Sequence, residues 1–409
     1  MFNVIFLDVG QGDSTFIKCP NGTTILVDCC IPNDNFLFWL DEQLPENDDG
    51  KKVLDYLIIT HPHKDHIKGI GKLKGFIIKN LWESGHRMYI SEEQKDDYPH
   101  YYDMLDLIQK VKKDGYNHEK LMAYSEKEIS DEPDVKFTVF SPTKAYLKDE
   151  KPTERDIHDQ CMVFKIEYKG KSIVFTGDSS MEAWKERIVP YYSDDSGKPN
   201  LIPSTFLHAS HHGSYTFFKP KGNKDQEPYT DAIEKIDPKI TVISVGEGNT
   251  HGHPDEDAFE QYKKHTFNKQ VYMTKDHGSL FVEIDEFGDY TIFTENMLKA
   301  EKKPTIASIR IDVTPLPKDN GHYNKYVDIT FKAVFTKMPS DQKASIFKWI
   351  VQNNATGDDH HHDWYIGNEG TKRTYDNATA YTGFHTLLCE VRNIRGNLIA
   401  ANTVVVCVD

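Results

Sequence analysis

Residues 60–66 read Thr60-His61-Pro62-His63-Lys64-Asp65-His66, which puts three imidazoles and a carboxylate within a few positions of one another. Neutral imidazole nitrogen and ionised carboxylate are ligands for zinc or a similar first-row divalent ion. Ligands this close in sequence converge on one ion only where the backbone turns irregularly, so the cluster needs a loop, and the loop needs a rigid support. The preceding apolar run, Val53 to Ile59, reads as a buried strand that ends at the cluster.

The elements around it follow the same plan. Thr24 to Val27 is a short apolar run closed by Asp28. Residues 162–168 alternate apolar and polar, Lys169-Gly170-Lys171 makes a turn, and 172–176 runs apolar into Gly177 and Asp178, which together predict a hairpin. Ile240 to Val245 predicts a strand followed by a glycine-rich loop, and 270–273 with 279–284 predict a terminal strand pair. Helical spacing appears over 35–44 and again over 103–111, where Met104, Leu107, Ile108 and Val111 share a face. Tyr89, Tyr98, Tyr101, Tyr102 and Tyr116 gather around that second helix. Core packing accounts for most of them; covering substrate or stacking bases is the functional alternative.

In combination these stretches resemble a known family. His61, His63, Asp65 and His66 reproduce the HxHxDH signature of the metallo-β-lactamase superfamily. Leu7-Asp8-Val9-Gly10-Gln11-Gly12-Asp13-Ser14, Asp28, Phe175-Thr176-Gly177-Asp178, His208-Ala209-Ser210-His211-His212-Gly213-Ser214 and Gly252-His253-Pro254 follow in the order of one branch, the soluble hydrolase domain of ComEC-type DNA-uptake proteins. The resemblance spans roughly residues 1–295 and implies an α/β fold, a four-layer αββα sandwich. It also implies two metals, Zn2+ with Mn2+ compatible: His61, His63 and His158 on one, Asp65, His66 and His211 on the other, Asp178 bridging. Asp159 is the alternative to His158. Cys29 and Cys30, beside Asp28, read as packed near the site and not as ligands.

From these parts the chemistry is hydrolytic. Water acidified between two cations is the expected nucleophile, and a paired centre suits in-line displacement at phosphorus. Asp65 counts among the catalytic groups as well as the ligands. His212 or His253, if protonated, would steady developing charge or protonate the leaving oxygen, and Asp28 would orient a ligand imidazole. Nucleic acid is the substrate the resemblance implies, which makes a nuclease the leading expectation. The alternatives are a hydrolase of a small phosphodiester or cyclic nucleotide, and a non-catalytic recruitment protein.

The 409 residues suggest two domains, expected at 1–297 and 305–409 with a charged linker at 298–304. The formal charge of −15 excludes a surface that grips nucleic acid everywhere, though not a nuclease whose metals bring local positive charge. Lysine-rich stretches at 68–79 and 110–113 read as solvated faces, with backbone tracking as the alternative. No run approaches the ~20 apolar residues of a membrane helix and no signal peptide is evident, so DNA import by these residues alone is not expected. Six irregularly spaced cysteines suggest reduced thiols and a cytoplasmic location.

From 306 onward the pattern is period-two strands at 306–313, 326–335, 345–351, 385–392 and 398–408. With Trp349 and the 378–384 run they resemble an immunoglobulin-like or PKD-like all-β sandwich, expected to bind a protein partner or to make a homo-oligomer. Asp358 to Asp363, rich in histidine, reads as a solvated loop. A hydrolase joined to such a sandwich would suit a regulated effector, for instance in anti-phage defence.

Overall fold

A computed structural model describes residues 1–129, 134–149, 157–194, 197, 199–294, 307–319, 321–337, 345–353, 364–393 and 398–409. Their contacts separate into two units, residues 1–32 with 44–296, and residues 33–43 with 297–409. The 298–304 linker and the 358–363 histidine loop lie outside the described residues.

The first unit is built on two sheets. One runs in the order Tyr290–Thr294, Leu280–Ile284, Phe2–Phe6, Thr15–Lys18, Thr24–Val27, Val53–Ile59, Ile77–Glu83, Asn117–Lys120. The other runs Val271–Met273, Ile240–Ile243, Phe206–His208, Lys171–Phe175, Val163–Tyr168, Val135–Ser141, Glu126–Glu128. Alternate residues of both sheets, among them Phe2, Val4, Phe6 and Ile58 from one and Phe137, Phe164, Phe175 and Val242 from the other, meet in one buried core. Each such side chain withdrawn from water contributes roughly 1.5–3 kcal/mol. The opposite face of the second sheet offers Val163, Val174, Leu207 and Ile243 to Trp184, Ile188, Ile233 and Tyr262 of the covering helices. Helix Pro99–Lys113 buries Tyr101, Met104, Leu107, Ile108 and Val111 and packs beside Ile77–Glu83. This is the four-layer arrangement expected.

Parallel pairing decides where chemistry collects. Thr24–Val27, Val53–Ile59 and Ile77–Glu83 run parallel, as do Lys171–Phe175, Phe206–His208 and Ile240–Ile243. Their carboxyl ends deliver Asp28, the 60–66 loop, Asp178, the 208–212 segment and Ser244 to one rim, where open α/β sheets present their crevice. An aromatic ladder supports it: Phe137 stacks on Phe164 at 4.8 Å, Phe164 on Phe175 at 4.9 Å, and Phe175 meets the His208 ring at 5.7 Å.

One expectation needs correction. The strands at 271–273 and 280–284 are not partners; the first edges the second sheet and the second pairs with Phe2–Phe6. A short helical turn, Thr274–His277, followed by Gly278 at φ +71°, carries the chain from one sheet to the other. Helix Asp34–Gln43, expected within 1–297, groups with the second unit. Its apolar stripe of Phe36, Trp39 and Leu40 announces burial, and periodicity does not say against which surface.

The second unit is all-β in its C-terminal part. A three-stranded sheet (Ser308–Thr314, Asp328–Lys337, Thr374–Ala378) and a five-stranded sheet (His322–Tyr323, Leu398–Val408, Gly383–Arg392, Ile346–Gln352, Trp364–Gly370) share a core. Phe331, Trp349 and Tyr375 lie within it, Trp349 fully buried. Strands 364–370 and 374–378 escaped the sequence pattern because glycine and polar residues break their alternation.

Candidate metal centre

The 60–66 loop turns as its spacing requires. His61 and His66 are fully buried, and His61 Nε2 approaches His63 Nδ1 to 3.0 Å. Asp178 lies between them, its Oδ2 3.4 Å from His61 Nε2 and its Oδ1 3.0 Å from His66 Nε2. Gly177, at φ +50°, makes the bend that brings it there, and a Cβ on that glycine would crowd Thr60 at 3.0 Å. Ligand atoms gather into two sets, His61, His63, His158 and Asp178, and Asp13, His66, Asp178 and His212, each within 4.8 Å of one another. Asp178 belongs to both.

Most of the rings are held from behind. His66 donates from Nδ1 to Asp28 Oδ2 at 2.7 Å, and Asp28 also accepts from the Thr60 amide at 2.8 Å and its hydroxyl at 2.7 Å. His212 donates from Nδ1 to the Ser244 carbonyl at 2.8 Å, and His211 Nδ1 is 3.0 Å from the Thr216 hydroxyl. In all three the tie at Nδ1 leaves Nε2 facing inward and fixes ring orientation; for His66 and His212, whose partners only accept, it also fixes the tautomer.

The donor set fits a divalent cation. His66 Nε2, Asp178 Oδ1 and Asp13 Oδ1 are shut from water and make no aligned hydrogen bond, although His66 Nε2 stands 3.0 Å from Asp178 Oδ1 and His208 Nε2 3.3 Å from Asp13 Oδ1, a costly arrangement that a cation relieves. Burial would raise the Asp178 carboxyl, yet His211, His66 and His61 hold it well below the usual carboxylate range. Asp13 behaves alike, burial opposed by His208 and His212. His61 is pushed well down by burial and by His66, so it presents a lone pair.

Residues 7–246 match the Metallo-beta-lactamase superfamily. The chain belongs to that superfamily. Over 291 residues this superfamily member is 25% identical to ComE operon protein 3 of Bacillus subtilis (strain 168), covering 68% of the chain but 32% of that relative, about a third of its length. Among solved structures it is similar to Zn(2+)-bound PqqB from Methylobacterium extorquens, with 11% identity and a TM-score of 0.40 over 68% of this chain and 99% of that one. It is also similar to a long form RNase Z from yeast, with 8% identity and a TM-score of 0.35 over 99% of this chain and 62% of that one.

Within this metallo-beta-lactamase site, the expected residues fall as follows. His61, His63, His158 and Asp178 come together. Asp159, the alternative to His158, is engaged elsewhere, accepting from the Ser180 hydroxyl and pairing with Arg187 at 3.1 Å. In the second set His212 and Asp13 stand with His66. Asp65 adjoins that set, its Oδ2 3.1 Å from His212 Nε2. His211 sits at the solvent side, 3.6 Å from Asp178 and partly exposed, whereas His212 is buried. Both have left-handed backbone, φ 50° and 55°, so neighbouring side chains do not point in the sense that a strand or helix would give. His253 lines up beside His211, ring centroids 5.4 Å apart. Cys29 and Cys30 join neither set; burial pushes the Cys30 thiol up to about 12.

Asp13 and His208 were not anticipated. His208 Nε2 bonds Ser244 Oγ at 2.8 Å and reaches Asp13 at 3.3 Å. The available signal for Asp13 was its place in a glycine-rich turn. Gly12, at φ +142°, lets that turn lie on the metal loop, where the Asp13 amide donates to the Asp65 carbonyl at 3.0 Å. A Cβ at Gly12 would sit 2.5 Å from that same oxygen.

Proposed function

We propose that the protein is a binuclear metal-dependent phosphodiesterase acting on nucleic acid. The observation that carries this is Asp178, shared by two converging ligand sets. Zn2+ is the expected metal, with Mn2+ compatible, His61, His63 and His158 holding one ion and His66, His212 and Asp13 or Asp65 the other. When bound, a pair of divalent cations supplies a nucleophilic hydroxide near neutral pH and offsets charge on both oxygens of an in-line displacement.

The chain's own groups do the rest. Asp28 keeps the His66 ring oriented through the 2.7 Å bond. His211 and His253 flank the solvent side, and burial lowers both, His253 to about 4. At neutral pH both are therefore uncharged, which argues against His253 as the acid that protonates the leaving group. Nucleic acid as substrate is supported by the resemblance of residues 1–295 to the hydrolase domain of DNA-uptake proteins. The C-terminal sheets are proposed to supply a docking surface for a protein partner or a second copy.

The test is hydrolysis by metal-loaded protein of linear, circular and single-stranded DNA, of RNA and of cyclic dinucleotides, with Asp65→Ala in parallel. Cleavage of a polymer, lost in the variant, is expected. Turnover of cyclic dinucleotides alone would redirect the reading to a small phosphodiester.

A further inference from the structure

A cleft of about 220 Å³ opens directly beside the metal loop. One wall is Pro62, Lys64 and Ile67, residues interleaved with His61, His63, Asp65 and His66, so one side of the loop faces the metal ligands and another faces this cleft. The other wall is the 96–101 segment that leads into helix Pro99–Lys113. That helix is anchored by Met104, Leu107, Ile108 and Val111, and Tyr101 Oη accepts from the Met88 amide at 3.2 Å, so the wall is fixed.

Its chemistry selects an occupant. Tyr98, 37% exposed, and His100 bring two aromatic rings, and Pro62, Pro99 and Ile67 add apolar surface. His100 Nδ1 is closed to water, so the imidazole offers its ring and not that nitrogen to the cleft. Burial, helped by Lys64 and Lys68, lowers its pKa, so the ring is neutral at physiological pH. Asp96 and Asp97 share the wall with it against the single Lys64 opposite, which disfavours a phosphate inside the cleft. A flat, uncharged ring with a polar edge satisfies all of these features, since every base has a face for stacking and an edge for hydrogen bonding.

We infer that this cleft receives the base of the nucleotide adjoining the phosphodiester to be cut, stacked against the Tyr98 ring with the His100 ring lining the cleft beside it. The inference rests on the phosphodiesterase reading above. It makes Tyr98 and His100 substrate-binding residues outside the ligand sets, and it gives the tyrosine-rich insertion a specific use.

Calorimetry on metal-loaded protein separates the two ideas, because it needs no turnover. A deoxynucleoside monophosphate is compared with 2-deoxyribose 5-phosphate, which keeps the phosphate and lacks the base. Tyr98→Ala and His100→Ala are each expected to weaken monophosphate binding about tenfold. Tyr98→Phe should bind like wild type, and affinity for the sugar phosphate should stay constant throughout. Equal binding of the two ligands by wild type, or unchanged monophosphate affinity in both alanine variants, overturns the cleft assignment. Wild type that binds the nucleotide but cleaves no phosphodiester overturns the activity instead.

Discussion

Asp28 makes no contact with substrate space, yet it ties three groups together: the Thr60 amide, the Thr60 hydroxyl and His66 Nδ1. It does so from left-handed backbone at φ 54°, a conformation kept because its neighbours over-determine it. Asp28→Ala is expected to weaken metal binding roughly 10–100-fold by freeing the His66 ring. Competition with a chelator measures this, and unchanged affinity would remove Asp28 from the account. At this scale the sequence was most informative where ligands are contiguous. His61, His63 and His66 were legible because their spacing suits only a turn. Asp13 was not, because it reaches the site through a glycine-permitted fold of a different loop. The respective places of His211 and His212 were also hidden, since left-handed backbone at adjacent residues follows no periodic rule.

At the scale of elements, the strand ends hold the rim in place. Ile77–Glu83 finishes in Glu83, which takes both Arg87 nitrogens at 2.5 Å and His118 Nε2 at 2.8 Å, joining the strand to its neighbour Asn117–Lys120. Burial alone would raise Glu83, but Arg87 and His118 bring it down to about 2 from 4.5. Because the folded value lies below the unfolded one, the stabilisation is complete above about pH 4.5 and drains away as pH falls toward 2. It amounts to about 3 kcal/mol. Urea unfolding of wild type and Glu83→Gln is expected to show a gap that narrows from pH 6 to pH 3, and a gap constant with pH would contradict the assignment. Buried apolar runs such as Val53 to Ile59 announced these strands with their bounds. Their sheet membership was less legible, as 271–273 and 280–284 show, because pairing is decided by the turn between them and not by the runs themselves.

At the scale of the whole molecule, chain order and unit membership differ. Helix Asp34–Gln43 belongs with residues 297–409, and Phe36, Trp39 and Leu40 are buried. A chain ended at residue 296 is therefore expected to expose them, with faster proteolysis inside 33–43, at a cost of roughly 1.5–3 kcal/mol per large apolar side chain. Unchanged protection there would show that the helix needs nothing beyond 296. Composition marks a change of character near residue 298 and carries no signal for the unit with which the earlier helix groups.

The shared Asp178 makes one claim about the molecule that a single titration reaches. Metal-free protein is supplied with Zn2+ in steps while bound metal and cleavage of bis(p-nitrophenyl) phosphate are read in the same samples, with Asp178→Ala alongside. Two equivalents should bind, cleavage should appear with the second, and the variant should lose both. Full cleavage at one equivalent, or two ions bound with no phosphodiester cut, would contradict a paired centre built for phosphoryl chemistry.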